Sequence, residues 1–95
     1  MSHFQEHLRL TLLRALTGAP GYKANSSILH SVACEFGLDA TRDQIKTELA
    51  WLAEQGLLKT ADIGGLVVAS LTDRGLDVAE GRAMAPGVQR PSPGS

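Results

Sequence analysis

The chain has 95 residues, a net charge of −1 and four aromatic side chains: Phe4, Tyr22, Phe36 and Trp51. Such a length allows one domain with a small, mainly aliphatic core, and the near-neutral balance excludes strong indiscriminate nucleic-acid binding. The lone Cys34 excludes an internal disulfide, and no apolar run forms a membrane span or signal peptide, so a cytoplasmic protein without membrane contact is expected.

Phe4, Leu8, Leu12, Ala15 and Leu16 recur at helical spacing and predict a helix over 3–17. Leu10 and Leu13 fall off that stripe. They either lie deep in the domain or form dimer contacts, and a homodimer is expected of so small a core. Gly18-Ala19-Pro20-Gly21 ends the helix. Asn25 is an N-cap for a second helix at 26–36, with Ile28, Leu29, Val32, Ala33 and Phe36 as its buried face. Gly37 stops it, and Leu38 folds back as the apolar contact of the stop.

Thr41-Arg42-Asp43-Gln44 matches a capping box and opens a third helix. Ile45, Leu49 and Leu52 face inward, Asp43, Lys46, Thr47, Ala50 and Glu54 face away, and Gly56 ends the element. Strands at 57–61 and 66–71 flank a hairpin turn, Asp62-Ile63-Gly64-Gly65. Thr72 caps a last helix, which Gly75 and Gly81 weaken. From Ala85 the chain is rich in Pro, Gly and Ser. The expected organisation is a domain at 1–84 and a flexible tail at 85–95. The expected fold is mainly α with a small β-hairpin, in the order α-α-α-β-β-α, the plan of a winged helix-turn-helix.

Thr41, Ile45, Leu49, Leu52 and Gly56-Leu57, followed by the hairpin and Leu71-Thr72-Asp73-Arg74-Gly75, resemble the pattern of winged-helix transcriptional regulators. More narrowly, HLRLTLLRAL, APGY, TELAWLAEQGLL, VASLTDRGLDVA and PGVQRPSP resemble a small protein family of Mu-like bacteriophages and prophages. That resemblance spans nearly the whole chain. It implies a winged-helix fold and a DNA-binding or regulatory role, with no reaction, ligand or operator attached.

In a helix-turn-helix the N-terminal residues of the reading helix meet base edges, and its free N–H groups meet phosphate. Those positions are Thr41, Arg42, Gln44, Lys46 and Thr47, with Lys23 and Lys59 as backbone contacts. Arg pairs with guanine and Gln with adenine, while Thr and Lys hold phosphate. The charge distribution opposes this: residues 24–81 carry four basic against nine acidic side chains, and the other bases sit at the chain ends. The wing tip at 62–65 has no Arg or Lys. His3 with His7, and His30 with Cys34, have ligand spacing on a helix, but a metal-sensing cysteine pair and a dense His and carboxylate cluster near the C-terminus are missing, so no metal or other cofactor is expected. No phosphate loop or nucleophile–base–acid set points to an enzyme. The expected function is sequence-specific DNA binding in phage transcription control. The alternative is a winged-helix interaction module for a phage or host protein, such as an assembly or packaging adaptor or an antirepressor.

Overall fold

The computed structural model describes residues 2–91. Four helices and a three-stranded antiparallel sheet make a mixed α/β unit. α1 (His3–Thr17) opens with a capping box between Ser2 and Gln5. A single 3₁₀ turn (Pro20–Tyr22) leads into β1 (Lys23–Asn25) and α2 (Ser26–Glu35). The Asn25 side chain caps α2 by accepting from the Ile28 N–H at 2.9 Å. At the far end Gly37 adopts φ 77°, the Gly37 N–H reaches Cys34 O at 3.0 Å and the Leu38 N–H reaches Ala33 O at 2.9 Å. That double closure is a Schellman stop, and Leu38 is buried beneath it.

α3 (Arg42–Glu54) begins at the Thr41 cap and ends in a second stop of the same kind, with Gly56 at φ 75° and the Leu57 N–H on Leu52 O. β2 (Leu58–Ile63) and β3 (Leu66–Leu71) form a hairpin, and Thr72 caps α4 (Asp73–Ala79). Beyond Leu58 every residue of β2 is exposed, so the hairpin projects from the body.

The α-α-α-β-β-α order expected of the sequence is corrected by β1. The sheet runs β1-β3-β2, with Ala24 opposite Ala69 and Thr60 opposite the same residue on the other side. Helix positions follow the expected order, and the arrangement is compatible with a winged helix. A strand of Lys-Ala-Asn has no alternation of its own; only pairing with β3, some forty residues on, makes it a strand.

The core gathers Leu8, Leu12, Leu13 and Leu16 of α1 with Leu29, Ile45, Leu49, Leu52, Leu57 and Leu58. Leu10 and Leu13, offered above as dimer contacts, are both buried within the chain and unavailable to a partner, so α1 lies deep in the domain. Ile28 and Phe36, assigned to the buried face of α2, are instead exposed. They sit at the two ends of a helix whose buried contacts are Leu29 and Ala33.

Gly75 is where α4 approaches the body. A Cβ there would lie 1.9 Å from Leu57 O, so only glycine permits the contact. The packed unit also continues past 84. Ala85 and Val88 are buried, and the Gln89 N–H donates to Glu6 O at 3.2 Å. The first part of the expected flexible tail therefore lies against α1, and residues 92–95 fall outside the described residues.

Candidate nucleic-acid interface

The first turn of α3 is exposed from Thr41 through Gln44. The Gln44 N–H donates to Thr41 Oγ1 at 3.0 Å, and the Thr41 N–H donates to Gln44 Oε1 at 2.7 Å. A bidentate grip on adenine uses both ends of the Gln amide. With Oε1 turned back to the cap, Gln44 is a structural residue first and offers mainly its NH₂. Arg42 Nη1 makes a long bond to Ser27 Oγ, 3.4 Å, and the side chain is otherwise exposed. Lys46 is half-buried, and its Nζ donates to Gly65 O at 3.1 Å. It thereby ties the tip of the hairpin to the flank of α3.

Asp43, Thr47, Ala50 and Glu54 are all exposed and fall on one helical row. The most outward line of α3 thus has a carboxylate at each end, with Arg42 and Lys46 to one side. Glu48 does not add to that acidity. Its Oε1 accepts from Arg9 Nε at 2.6 Å, and both side chains are about 5 % exposed. Gln5 Nε2 donates to the other Glu48 oxygen at 3.3 Å, Arg9 Nη1 donates to Gly87 O at 3.1 Å, and the guanidinium carbon lies 3.8 Å from the Trp51 ring centroid. Cation–π stacking and charge-assisted hydrogen bonds together compensate the desolvation of both charges. Among the described residues no buried side-chain polar atom lacks a partner.

In the sequence Arg9 and Glu48 enter only the overall charge balance, and their pairing is not foreseen. A signal was present: Glu48 falls on the stripe of Ile45, Leu49 and Leu52, and Arg9 lies between Leu8 and Leu10. Charged residues at core positions are almost always paired.

Lys23 and Lys59, expected as backbone contacts and distant in sequence, are brought together by the sheet. Both pair with Ser70 of β3, one from each side, so the row Lys23–Ser70–Lys59 lies on one face. Two strand spacings separate the lysines, about 10 Å. The next rows on that face are Asn25–Val68–Ala61 and Leu66–Ile63. No residue of these three rows is acidic. The opposite face carries Leu58, Ala69 and Leu71 toward the core. At the tip, Ile63 and Leu66 are exposed.

Arg82 bonds Asp77 Oδ1 at 2.9 Å and Glu80 Oε1 at 2.7 Å. Hydrogen bonds to Glu80 and then Asp77 hold its pKa above the ordinary arginine value, and its charge is locally matched. The two histidine-containing pairs have partners of their own. His30 Nε2 lies 2.9 Å from Ala40 O and 3.8 Å from Cys34 Sγ, so the nitrogen facing the thiol is engaged by the backbone. His3 lies 4.0 Å from Glu6, and His7 Nδ1 lies 2.7 Å from Gln89 Oε1. No group of three or more His, Cys, Asp or Glu residues capable of holding a metal occurs among the described residues. No described helix is long and apolar enough to cross a membrane.

The chain is 43 % identical over 88 residues to uncharacterized protein gp26 of Escherichia phage Mu, an alignment covering 93 % of this chain and 91 % of the relative. It is 46 % identical over 69 residues to an uncharacterized protein of Haemophilus influenzae, covering 72 % of this chain and 67 % of that one. No family model and no solved structure matches it. With near-complete coverage at that identity, the chain belongs to the family of phage Mu gp26, a family of small proteins of Mu-like bacteriophages.

Proposed function

We propose that this chain is a winged helix-turn-helix protein that binds DNA sequence-specifically and controls phage transcription in the bacterial cytoplasm. The supporting observation is the pairing of an exposed first turn of α3 with a projecting hairpin tied to its side by Lys46 and Gly65. Arg42 is the base reader, matched to guanine. Thr41 and Thr47 hold phosphate near the helix N-terminus, where free N–H groups favour anions. Lys46 fixes the wing and keeps two ammonium hydrogens for phosphate. Lys23 and Lys59 supply backbone contacts from the sheet. A homodimer would double these contacts, and its interface lies elsewhere than Leu10 and Leu13.

The second reading, a protein-interaction module, is favoured by the row Asp43–Thr47–Ala50–Glu54 and by the apolar wing tip. Fluorescence anisotropy with labelled fragments of the phage genome, repeated across salt concentrations, separates the two. DNA binding requires the Lys23→Ala, Lys59→Ala double variant to weaken binding to all fragments and to reduce the log–log salt slope by roughly 2, near 0.9 per phosphate. Wild-type protein that prefers no fragment, or a slope unaltered by both substitutions, favours the interaction module.

A further inference from the structure

Along the solvent side of α1, closed at one end by the residue that caps the C-terminus of α2, lies a cleft of about 520 Å³. Its walls are His7, Thr11, Arg14, Ala15, Thr17 and Phe36. The volume is within the range of small-molecule sites. No lining residue is acidic, although the protein as a whole carries a net negative charge. Among the described residues Arg14 has no carboxylate partner, and its side chain is exposed. The hydroxyls of Thr11 and Thr17 donate to His7 O and Arg14 O of their own helix, at 2.9 and 2.6 Å. Their protons are therefore spent, and Arg14 is left as the principal donor in the cleft. His7 is anchored through Nδ1 to Gln89 and forms a fixed wall. Phe36 is 70 % exposed, with its ring at the rim.

An apolar ring beside one uncompensated guanidinium matches a ligand with a flat hydrocarbon part and a carboxylate. We propose that this cleft binds a small planar aromatic carboxylate, with the carboxylate on Arg14 and the ring against Phe36 and Ala15. Arginine suits that role because its planar fork meets a carboxylate with two parallel hydrogen bonds. Phe36 directly precedes the Gly37–Leu38 stop that leads to α3, so the bound ring leans on the turn of the helix-turn-helix. Binding at the cleft does not rest on the DNA reading.

The test is an amide NMR titration of the full chain with 2-naphthoate, alongside its neutral analogue 2-naphthamide. Saturable shifts are expected at residues 7–17 and 36–38. Arg14→Ala, Phe36→Ser and the neutral amide should each weaken binding about tenfold, the loss of one charge-assisted or aromatic contact. Both side chains are exposed, and the same spectra report whether the variants remain folded. Absence of saturation up to about 10 mM, a weaker interaction than any useful site, overturns the proposal. So do shifts located elsewhere, or equal binding of acid and amide. A dimer that Phe36→Ser converts to monomer also overturns it, because a second copy would then occupy the cleft.

Discussion

The Arg9–Glu48 pair is the main polar link between α1 and α3, and it also reaches the C-terminal segment through Gly87 O. Removing Glu48 leaves the Arg9 charge buried without its counter-ion, with Gly87 O and the Trp51 ring still beside it. Glu48→Ala should therefore lose about 3–5 kcal/mol in urea unfolding, whereas replacing both by apolar residues of similar volume should recover most of that loss. Equal destabilisation by the single and double variants would show that packing rather than charge is at stake. Gly75 makes a separate prediction. The Cβ of Gly75→Ala would collide with the Leu57 carbonyl, which belongs to the backbone and cannot rotate away. A loss of at least about 1–3 kcal/mol should follow, read as a lowered thermal midpoint, despite the better helix propensity of alanine. In the sequence Gly75 is legible only as a weak spot in a helix, because the reason for it lies in a loop eighteen positions away.

At the scale of elements, caps and stops were legible because their chemistry is local. Asn25, Thr41, Thr72, Gly37 and Gly56 each act on partners within a few residues. Thr41→Ala should lower stability by about 1 kcal/mol, measurable in the same urea series. The bond lost is the one from the Gln44 N–H to Thr41 Oγ1, while the backbone N–H of residue 41 still donates to Gln44 Oε1. β1 was not legible, since its three residues acquire a partner only through β3. The packing of 85–91 was hidden for a related reason: Ala85 and Val88 are isolated apolar positions in a stretch rich in Pro and Gly. The tie between α3 and the hairpin is another long-range feature. Lys46→Met keeps the aliphatic stem but removes the donor to Gly65. Hydrogen exchange should accelerate at residues 61–66 while global stability changes by less than about 0.5 kcal/mol. Unchanged exchange there would mean that the hairpin holds its own position.

For the whole molecule, the balance of charge is less hostile to DNA than a count along the chain suggests. Glu48 is neutralised inside, Arg82 is matched by its neighbours, and Lys23 and Lys59 share a sheet face without an acid. Asp43 and Glu54 still occupy the outward row of α3. The candidate residues were found in the sequence by helix position; which of them are free was not, because Gln44 and Lys46 are engaged by hydrogen bonds that composition and periodicity do not encode. The most direct measurement is selection from randomised DNA by the full chain at two salt concentrations, with Arg42→Ala in parallel. A defined motif should be enriched at both salts, and Arg42→Ala should lose preference at one guanine with a penalty of about 1–3 kcal/mol. Failure to enrich any motif even at low salt would contradict the DNA-binding account.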